Sequence, residues 1–290
     1  MPVAVSVVIP AYNAAATIGE AIESALAQDF RDREIIVVND GSTDSTGEVL
    51  RSYGDRIRVI EQANRGETGA RNVAIAAAQG EYLAFLDSDD YWLPGRVTST
   101  LDALVRDRAA GLALCDFRII DRATGKVFGE MRPGRAPRKG DIFETWPPMT
   151  PTAVTMRTDL ARECGGFPEG IGWGGDVLLW LAAIQRRPFV YVSQVLAVYR
   201  SGASLTERRY PPRQHKRFER EVTARYGRDG RKLVNIARDQ YASLLLASSL
   251  TDLKNGHELR GLKDLAALLI YRPSYLSKAI IRKARSRRAR

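Results

Sequence analysis

Asp87 and Asp89 flank a single serine, Ser88, at the end of an apolar run, and Asp90 follows directly. Two carboxylates so spaced can share a hard cation with the diphosphate of a nucleotide. Magnesium or manganese takes one or two protein carboxylates and completes its octahedron with phosphate oxygens and water, so a protein-only cage is not required. The competing reading is a solvated acidic turn leading into a helix. Pro10-Ala11-Tyr12-Asn13 close an earlier apolar run, and Asp40 closes another. An aromatic face beside a carboxylate suits a nucleobase, one stacking and the other accepting a base N–H; a lone tyrosine would read as packing. Arg71, with Arg65 and Asn72 near it, could reach a diphosphate. Asp176 stands before Val177-Leu178-Leu179-Trp180. A helix N-cap explains it locally, while its chemical reading is a general base that takes a proton from an acceptor hydroxyl. The two roles are compatible.

Other chemistries find little support. No Gly-Lys-Ser/Thr loop occurs, and Ala14-Ala15-Ala16 stand where a glycine-rich phosphate loop would follow the first strand. No Gly-x-Ser-x-Gly elbow holds a serine nucleophile. His215 and His257 have no second histidine or cysteine four residues on, and Cys115 and Cys164 have no metal-ligand spacing, which fits a reducing compartment.

The elements that must hold these groups alternate. Apolar, β-branched runs at 3–9, 34–38, 57–60 and 82–86 read as strands buried on both faces, and 14–28, 44–53 and 68–79 between them read as helices. That order predicts an α/β fold: a mainly parallel sheet flanked by helices, with its ligand crevice beyond the carboxyl ends of the strands. Tyr12-Asn13, Asp40, Asp87 and Asp89 all fall at such ends. Further on, a helix is expected over 97–106, a strand at 112–116 and a hairpin of 118–121 with 126–128 across Thr124-Gly125. A long proline-bearing loop is expected over 132–151, able to close over a ligand and exclude water. A strand at 153–157, a helix at 177–184 opened by Asp176, a strand at 189–199, and helices including 236–253 and 259–270 complete the pattern. The expected organisation is a domain at 1–205, with a nucleotide-binding half at 1–97 and an acceptor half at 98–205, followed by a helical region at 206–290.

The 290 residues are 44% hydrophobic and 27% charged, ordinary for a globular chain, with a net charge of +10. That charge is local. Between Leu265 and Arg290 lie eight basic residues and no acidic one, and without them the rest carries about +2. The tail interleaves Tyr271, Tyr275, Leu276, Ile280 and Ile281 with Lys278, Arg282 and Lys283, which suits an anionic membrane surface better than nucleic acid. No run is long enough to span a bilayer and no secretory leader is read at Met1–Pro10, so the expected location is cytoplasmic, peripheral on the cytoplasmic face of the membrane.

Ser6-Val7-Val8-Ile9-Pro10-Ala11-Tyr12-Asn13, Val38-Asn39-Asp40-Gly41-Ser42-Thr43-Asp44, Gly69-Ala70-Arg71-Asn72 and Gly80-Glu81-Tyr82-Leu83-Ala84-Phe85-Leu86-Asp87-Ser88-Asp89-Asp90 resemble, in order and spacing, family 2 glycosyltransferases of the GT-A fold. The likeness is close over about residues 3–97 and weaker to about 205. It implies inverting transfer of one sugar from a nucleoside-diphosphate sugar, with UDP favoured, to a carbohydrate or lipid-linked acceptor in surface polysaccharide or glycolipid synthesis. By position it implies that Pro10 to Asn13 and Asp40 hold the base, Asp87 and Ser88 the ribose and metal region, and Asp89 the Mn²⁺ or Mg²⁺, with Asp176 the base. Gly175 stands where the family usually has a Glu, and Tyr199-Arg200 resembles a late motif without its usual His. The alternatives are a nucleotidyltransferase that makes a sugar nucleotide and an inactive membrane-associated binding module.

Overall fold

Val5–Ala11 forms β1, and every one of its residues is buried, as a β-branched run covered on both faces requires. The computed structural model describes residues 4–138, 149–171, 174–201 and 212–254, with 262, 266 and 268. Beside β1 lie β2 (Arg33–Asp40), β3 (Arg58–Gln62) and β4 (Tyr82–Phe85), all parallel. Helix α1 (Ile18–Leu26) buries Ile18, Ala21, Ile22 and Ala25 on one stripe in a core that includes Val5, Val7 and Ile9. The short α2 (Thr46–Arg51) adds Leu50 to that core, and α3 (Gly66–Ala77) buries Ala70, Ala74 and Ile75. This half agrees with the expected pattern.

The second half mixes directions. It comprises β5 (Tyr91–Trp92), α4 (Arg96–Arg106), β6 (Leu112–Asp121), β7 (Val127–Met131), β8 (Val154–Arg157), α5 (Thr158–Glu163), α6 (Gly175–Ile184) and β9 (Phe189–Ser201). The nine-stranded sheet runs β3-β2-β1-β4-β8-β6-β9-β5, with β7 beside β6. Among the described residues, four ladders are parallel and four antiparallel, so the sheet is mixed rather than mainly parallel. The cause lies in the connections. Parallel neighbours need a crossover, whereas β7 returns from β6 through a tight turn and must run antiparallel. The expected separate strands at 112–116 and 118–121 are one strand, β6; β5 and α5 were not anticipated.

Contacts divide the chain into two units. The first comprises Met1–Ile142, Pro147–Gly202 and Tyr210–Phe218, the second Phe143–Trp146, Ala203–Arg209 and Glu219–Arg290. Most of α7 (Pro212–Lys254) belongs to the second unit and breaks at Gly227, whose φ of 52° is left-handed. In that unit Val222, Leu233, Val234 and Ala237 are buried, and Arg238 forks onto Glu219 at 2.9 and 2.5 Å. Residues 139–148 of the expected closing loop lie outside the described residues. So do the helix expected at 259–270 and the basic tail, but for 262, 266 and 268. No helix among the described residues is long and apolar enough to cross a membrane.

Candidate active site

At the carboxyl end of β1, Pro10 and Ala11 are buried in the strand while Tyr12 is 50% exposed. Asn13 follows with a left-handed φ of 48°, a conformation Asn tolerates because its short amide bonds locally. Its Oδ1 accepts the Thr43 N–H at 2.8 Å and its own N–H donates to Ser42 Oγ at 3.0 Å, tying the loop after β1 to the loop after β2.

Asp40 ends β2 almost wholly buried. Its Oδ1 accepts from Gln62 Nε2 at 2.6 Å and from the Arg65 N–H at 2.8 Å, and its Oδ2 accepts the Gly66 N–H at 2.8 Å. Those backbone donors belong to the first turn of α3, so Asp40 serves that helix as a remote cap. A carboxylate offers about four acceptor positions; the three bonds leave one for a base N–H.

Arg71 projects from α3 with only 3% of its surface exposed. Its Nη2 lies 2.5 Å from Asp87 Oδ1 and 2.5 Å from Glu67 Oε1, and the guanidinium sits 5.1 Å from the centre of the Phe167 ring. Burial works against this cation, but the nearby Glu67, Asp87 and Asp176 outweigh it and hold the proton more firmly than usual. Arg71 therefore grips the acidic motif. Arg65 instead pairs with Glu169 at 2.7 Å, and Asn72 clamps the Phe167 backbone, accepting its N–H at 2.8 Å and donating to its carbonyl at 2.7 Å.

Each part of the acidic run after β4 has its own tether. Asp87 donates its N–H to Thr152 Oγ1 at 3.2 Å, and burial, with repulsion from Glu67 and Asp89 and against the pull of Arg71, pushes its carboxyl up to about 6. Ser88 is buried. The Asp89 carboxylate pairs with Arg122, from the turn between β6 and β7. Asp90 is fully buried; its Oδ2 accepts from Thr152 Oγ1 at 2.6 Å and its Oδ1 from the Arg200 N–H at 2.9 Å. Burial, then repulsion from Asp89 and Asp87, pushes its carboxyl well above the usual range. Arg200, in β9, also donates from Nη1 to the Asp89 carbonyl at 3.1 Å and from Nη2 to Glu20 at 2.5 Å. Beneath them, buried Arg96 donates to the Val154 carbonyl at 2.7 Å and, with Trp92 Nε1 at 2.9 Å, to the Thr152 carbonyl, which fixes the threonine.

Asp176 does not open its helix as an N-cap. That place belongs to Gly174, with φ 76° and no side-chain cap bond, and α6 begins at Gly175. The shift has a packing cause: a Cβ on Gly174 would come within 2.9 Å of the Phe218 ring, so only glycine fits the left-handed corner there. Asp176 thus lies inside the first turn, where its carboxyl meets the Val177 N–H rather than capping from outside the helix. Burial pushes that carboxyl up, against the pull of Arg71 and the Val177 N–H. The helix is fixed on the sheet by Trp180, whose ring meets Phe85 of β4 at 6.0 Å and Phe167 at 5.9 Å. Asp87, which follows β4, and Asp176, on α6, are therefore positioned by elements that share one aromatic cluster; Arg71 pairs with Asp87 and its charge is felt by Asp176.

The arrangement unites Asp87, Asp89, Arg71 and Asp176 and keeps Tyr12 exposed and Asp40 at neighbouring strand ends. Sequence reasoning missed Arg122, Glu67 and the roles of Asp90 and Thr152. Among the described residues, no three His, Cys, Asp or Glu side chains form a protein-only metal cage. The donor set still fits Mn²⁺ or Mg²⁺, since Asp87 and Asp89 are hard oxygen ligands and phosphate and water complete such sites. A cavity of about 740 Å³ beside Ala27, Arg31 and Arg56 lies near Arg33, at the amino end of β2 and away from these groups.

The profile of Glycosyl transferase family 2 matches residues 6–165, more than half of the chain. A Rickettsia prowazekii protein named an uncharacterized glycosyltransferase is 30% identical over 70% of this chain and 65% of its own length. The Escherichia coli UDP-Glc:alpha-D-GlcNAc-diphosphoundecaprenol beta-1,3-glucosyltransferase WfaP is 41% identical over 33% of this chain and 39% of its own. The chain spans 62% and 65% of the length of two Rickettsia relatives. Staphylococcus aureus TarS 1-349 in complex with UDP-GlcNAc superposes with a TM-score of 0.63 at 21% identity, over 92% of this chain and 81% of that one. The mannosyltransferase PcManGT from Pyrobaculum calidifontis, in complex with GDP-Man and Mn²⁺, gives 0.56 at 19% identity, over 98% and 80%. These likenesses in fold accord with the mixed GT-A sheet, and the chain belongs to glycosyl transferase family 2.

Proposed function

We propose that this chain transfers one sugar, with inversion, from a nucleoside-diphosphate sugar to an acceptor hydroxyl. The observation that carries the reading is the buried Arg71, which pairs with Asp87 of the acidic strand end and also feels Asp176. It supports a single site for donor and base. Tyr12 stacks on the nucleobase and the free acceptor position of Asp40 takes a base N–H. Pro10, Ala11 and Asn13 shape the same pocket, and Ser88 keeps Asp87 and Asp89 on one turn. Asp87 and Asp89 hold the divalent cation, which when bound supplies Lewis-acid screening of the diphosphate. Asp176 takes the acceptor's proton; the oxygen bonds to the anomeric carbon from the face opposite the nucleotide, and the bond to the diphosphate breaks with its electron pair leaving on the phosphate. The raised basicity of Asp176 favours proton uptake.

A UDP-sugar donor and a lipid-linked acceptor are favoured by the names of WfaP and of the TarS complex. A lipid-linked acceptor also suits the basic tail, which we place on the cytoplasmic face of the membrane. The test is calorimetric titration of UDP with and without Mn²⁺, on the wild-type protein and Asp89→Ala. Metal-dependent binding lost in the variant is expected; equal binding by both proteins with no metal effect, repeated with GDP, would remove the metal site from the reading.

A further inference from the structure

Among the described residues three arginines hold the acidic run, and they are not equivalent. The Arg71 side chain is 4% exposed, and that of Arg200, 13% exposed, is spread between the Asp89 carbonyl, Glu20 and the face of Tyr91. Arg122 alone of the three pairs with the Asp89 carboxylate, and its side chain is 31% exposed. Its backbone is fixed: the Arg122 N–H donates to the Ser201 carbonyl at 2.7 Å, and Asp121 Oδ1 accepts the Thr124 N–H at 2.8 Å within the turn. Its Nε is buried without a hydrogen-bond partner. A rigid turn thus presents a long, partly solvated cation to the carboxylate assigned to the metal, with one N–H donor still unsatisfied.

We propose that Arg122 is the resident counter-cation of Asp89 and competes with the divalent metal for it. This rests on the metal-dependent reading above. A guanidinium and a divalent cation on one largely buried carboxylate repel each other, because their charges are poorly screened there. Metal uptake therefore weakens the Arg122–Asp89 pair. Arg71 and Arg200 stay in place, since leaving would strip buried contacts, whereas Arg122 swings toward solvent or an incoming phosphate oxygen that satisfies its Nε. Arg122 thereby makes metal binding weak alone and strong with the donor diphosphate.

The experiment uses the full chain and Mn²⁺ alone as probe, followed by the electron paramagnetic resonance of free Mn²⁺, for wild type, Arg122→Gln, Arg122→Ala and the control Arg118→Gln, whose residue pairs with Glu130 on the same hairpin. Thermal melting checks that each variant is folded, and Ala serves if Gln melts low. Loss of a charge-assisted pair predicts about tenfold tighter Mn²⁺ binding by the Arg122 variants, with Arg118→Gln unchanged. With UDP present the advantage should vanish or reverse. Equal or weaker Mn²⁺ binding by the folded Arg122 variants overturns the competition while leaving the metal site standing. No Mn²⁺ binding by any protein, with or without UDP, overturns both.

Discussion

Replacing Arg71 by Met keeps most of the side-chain volume beside Phe167 and removes the charge with its N–H donors. The guanidinium lies 2.5 Å from both Asp87 and Glu67, with side-chain exposures of 4%, 15% and 30% for Arg71, Asp87 and Glu67, so solvent screens the Asp87 pair little. Removing one partner of a buried pair strands the other, at a cost of about 3–5 kcal/mol. In a domain of this size about 3 kcal/mol lowers Tm by roughly 6–12 °C. The loss should depend on pH. Burial already raises the Asp87 carboxyl to about 6 with Arg71 pulling it down, and without Arg71 it rises further, as does that of Asp176. The folded variant then holds protons that the unfolded chain releases above the ordinary aspartate range, so its stability falls as pH climbs through the raised values. For Asp87 in the wild type that fall is complete a little above pH 6. Scanning calorimetry at pH 5.5 and 8 should therefore show the larger Tm difference at pH 8, with Arg71→Lys recovering part of it. A difference below 2 °C at pH 8, or the same difference at both values, would refute the view that Arg71 compensates these carboxylates.

Asp176→Asn should keep the fold and donor affinity yet lower turnover by roughly 10²–10⁴-fold, because an amide cannot take the acceptor's proton; near-wild-type turnover would refute the assignment. In the wild type the acid limb of kcat/KM should lie above the ordinary aspartate pKa, activity falling as pH drops through the raised Asp176 value, and a limb at or below the ordinary value would count against it. A chain ending near Asp264 should retain donor binding but lose sedimentation with anionic vesicles, which for the full chain should weaken from 0.05 to 0.5 M salt. Equal sedimentation of both chains, or indifference to lipid charge, would leave the tail without that role.

The strand-end half of the site was legible because it is local. A strand buried on both faces must be a continuous apolar run, and the first polar residue after it marks the carboxyl end, which is how Tyr12, Asp40 and Asp87 could be placed together. Arg122 is 33 residues from Asp89, and Arg200 reaches the Asp89 carbonyl from 111 residues away. Their meeting depends on β6 and β9 running parallel, with a register shift at Asp116 that sets Asp121 opposite Ser201. No periodicity in a single sequence encodes such a shift. Asp176 was misplaced for the opposite reason: local propensity favours Asp as the cap, and the contact of Phe218 with Gly174 overrides it. The mixed sheet was hidden because strand direction in this half follows from how the chain returns, not from composition.

The electrostatics of the cluster bear on why a diphosphate would need a metal here. Around Asp87 to Asp90 the chain gathers Glu20, Glu67 and Asp176 as well, and among the described residues Arg71, Arg122 and Arg200 pair with these groups. Each of those arginines already answers a carboxylate, so among the described residues the groups around the strand end are an acidic excess, not a basic cradle. The carboxyls of Asp87, Asp90 and Asp176 are raised first by burial, and repulsion from neighbouring carboxylates adds to it. An anion alone is repelled by such a site. A cation and a diphosphate arriving together are not, because the cation faces the carboxylates and the phosphates face the cation. On the proposed reaction, the acidic excess thus makes donor and metal bind as one unit, and Arg122 sharpens that requirement by occupying Asp89 until both arrive.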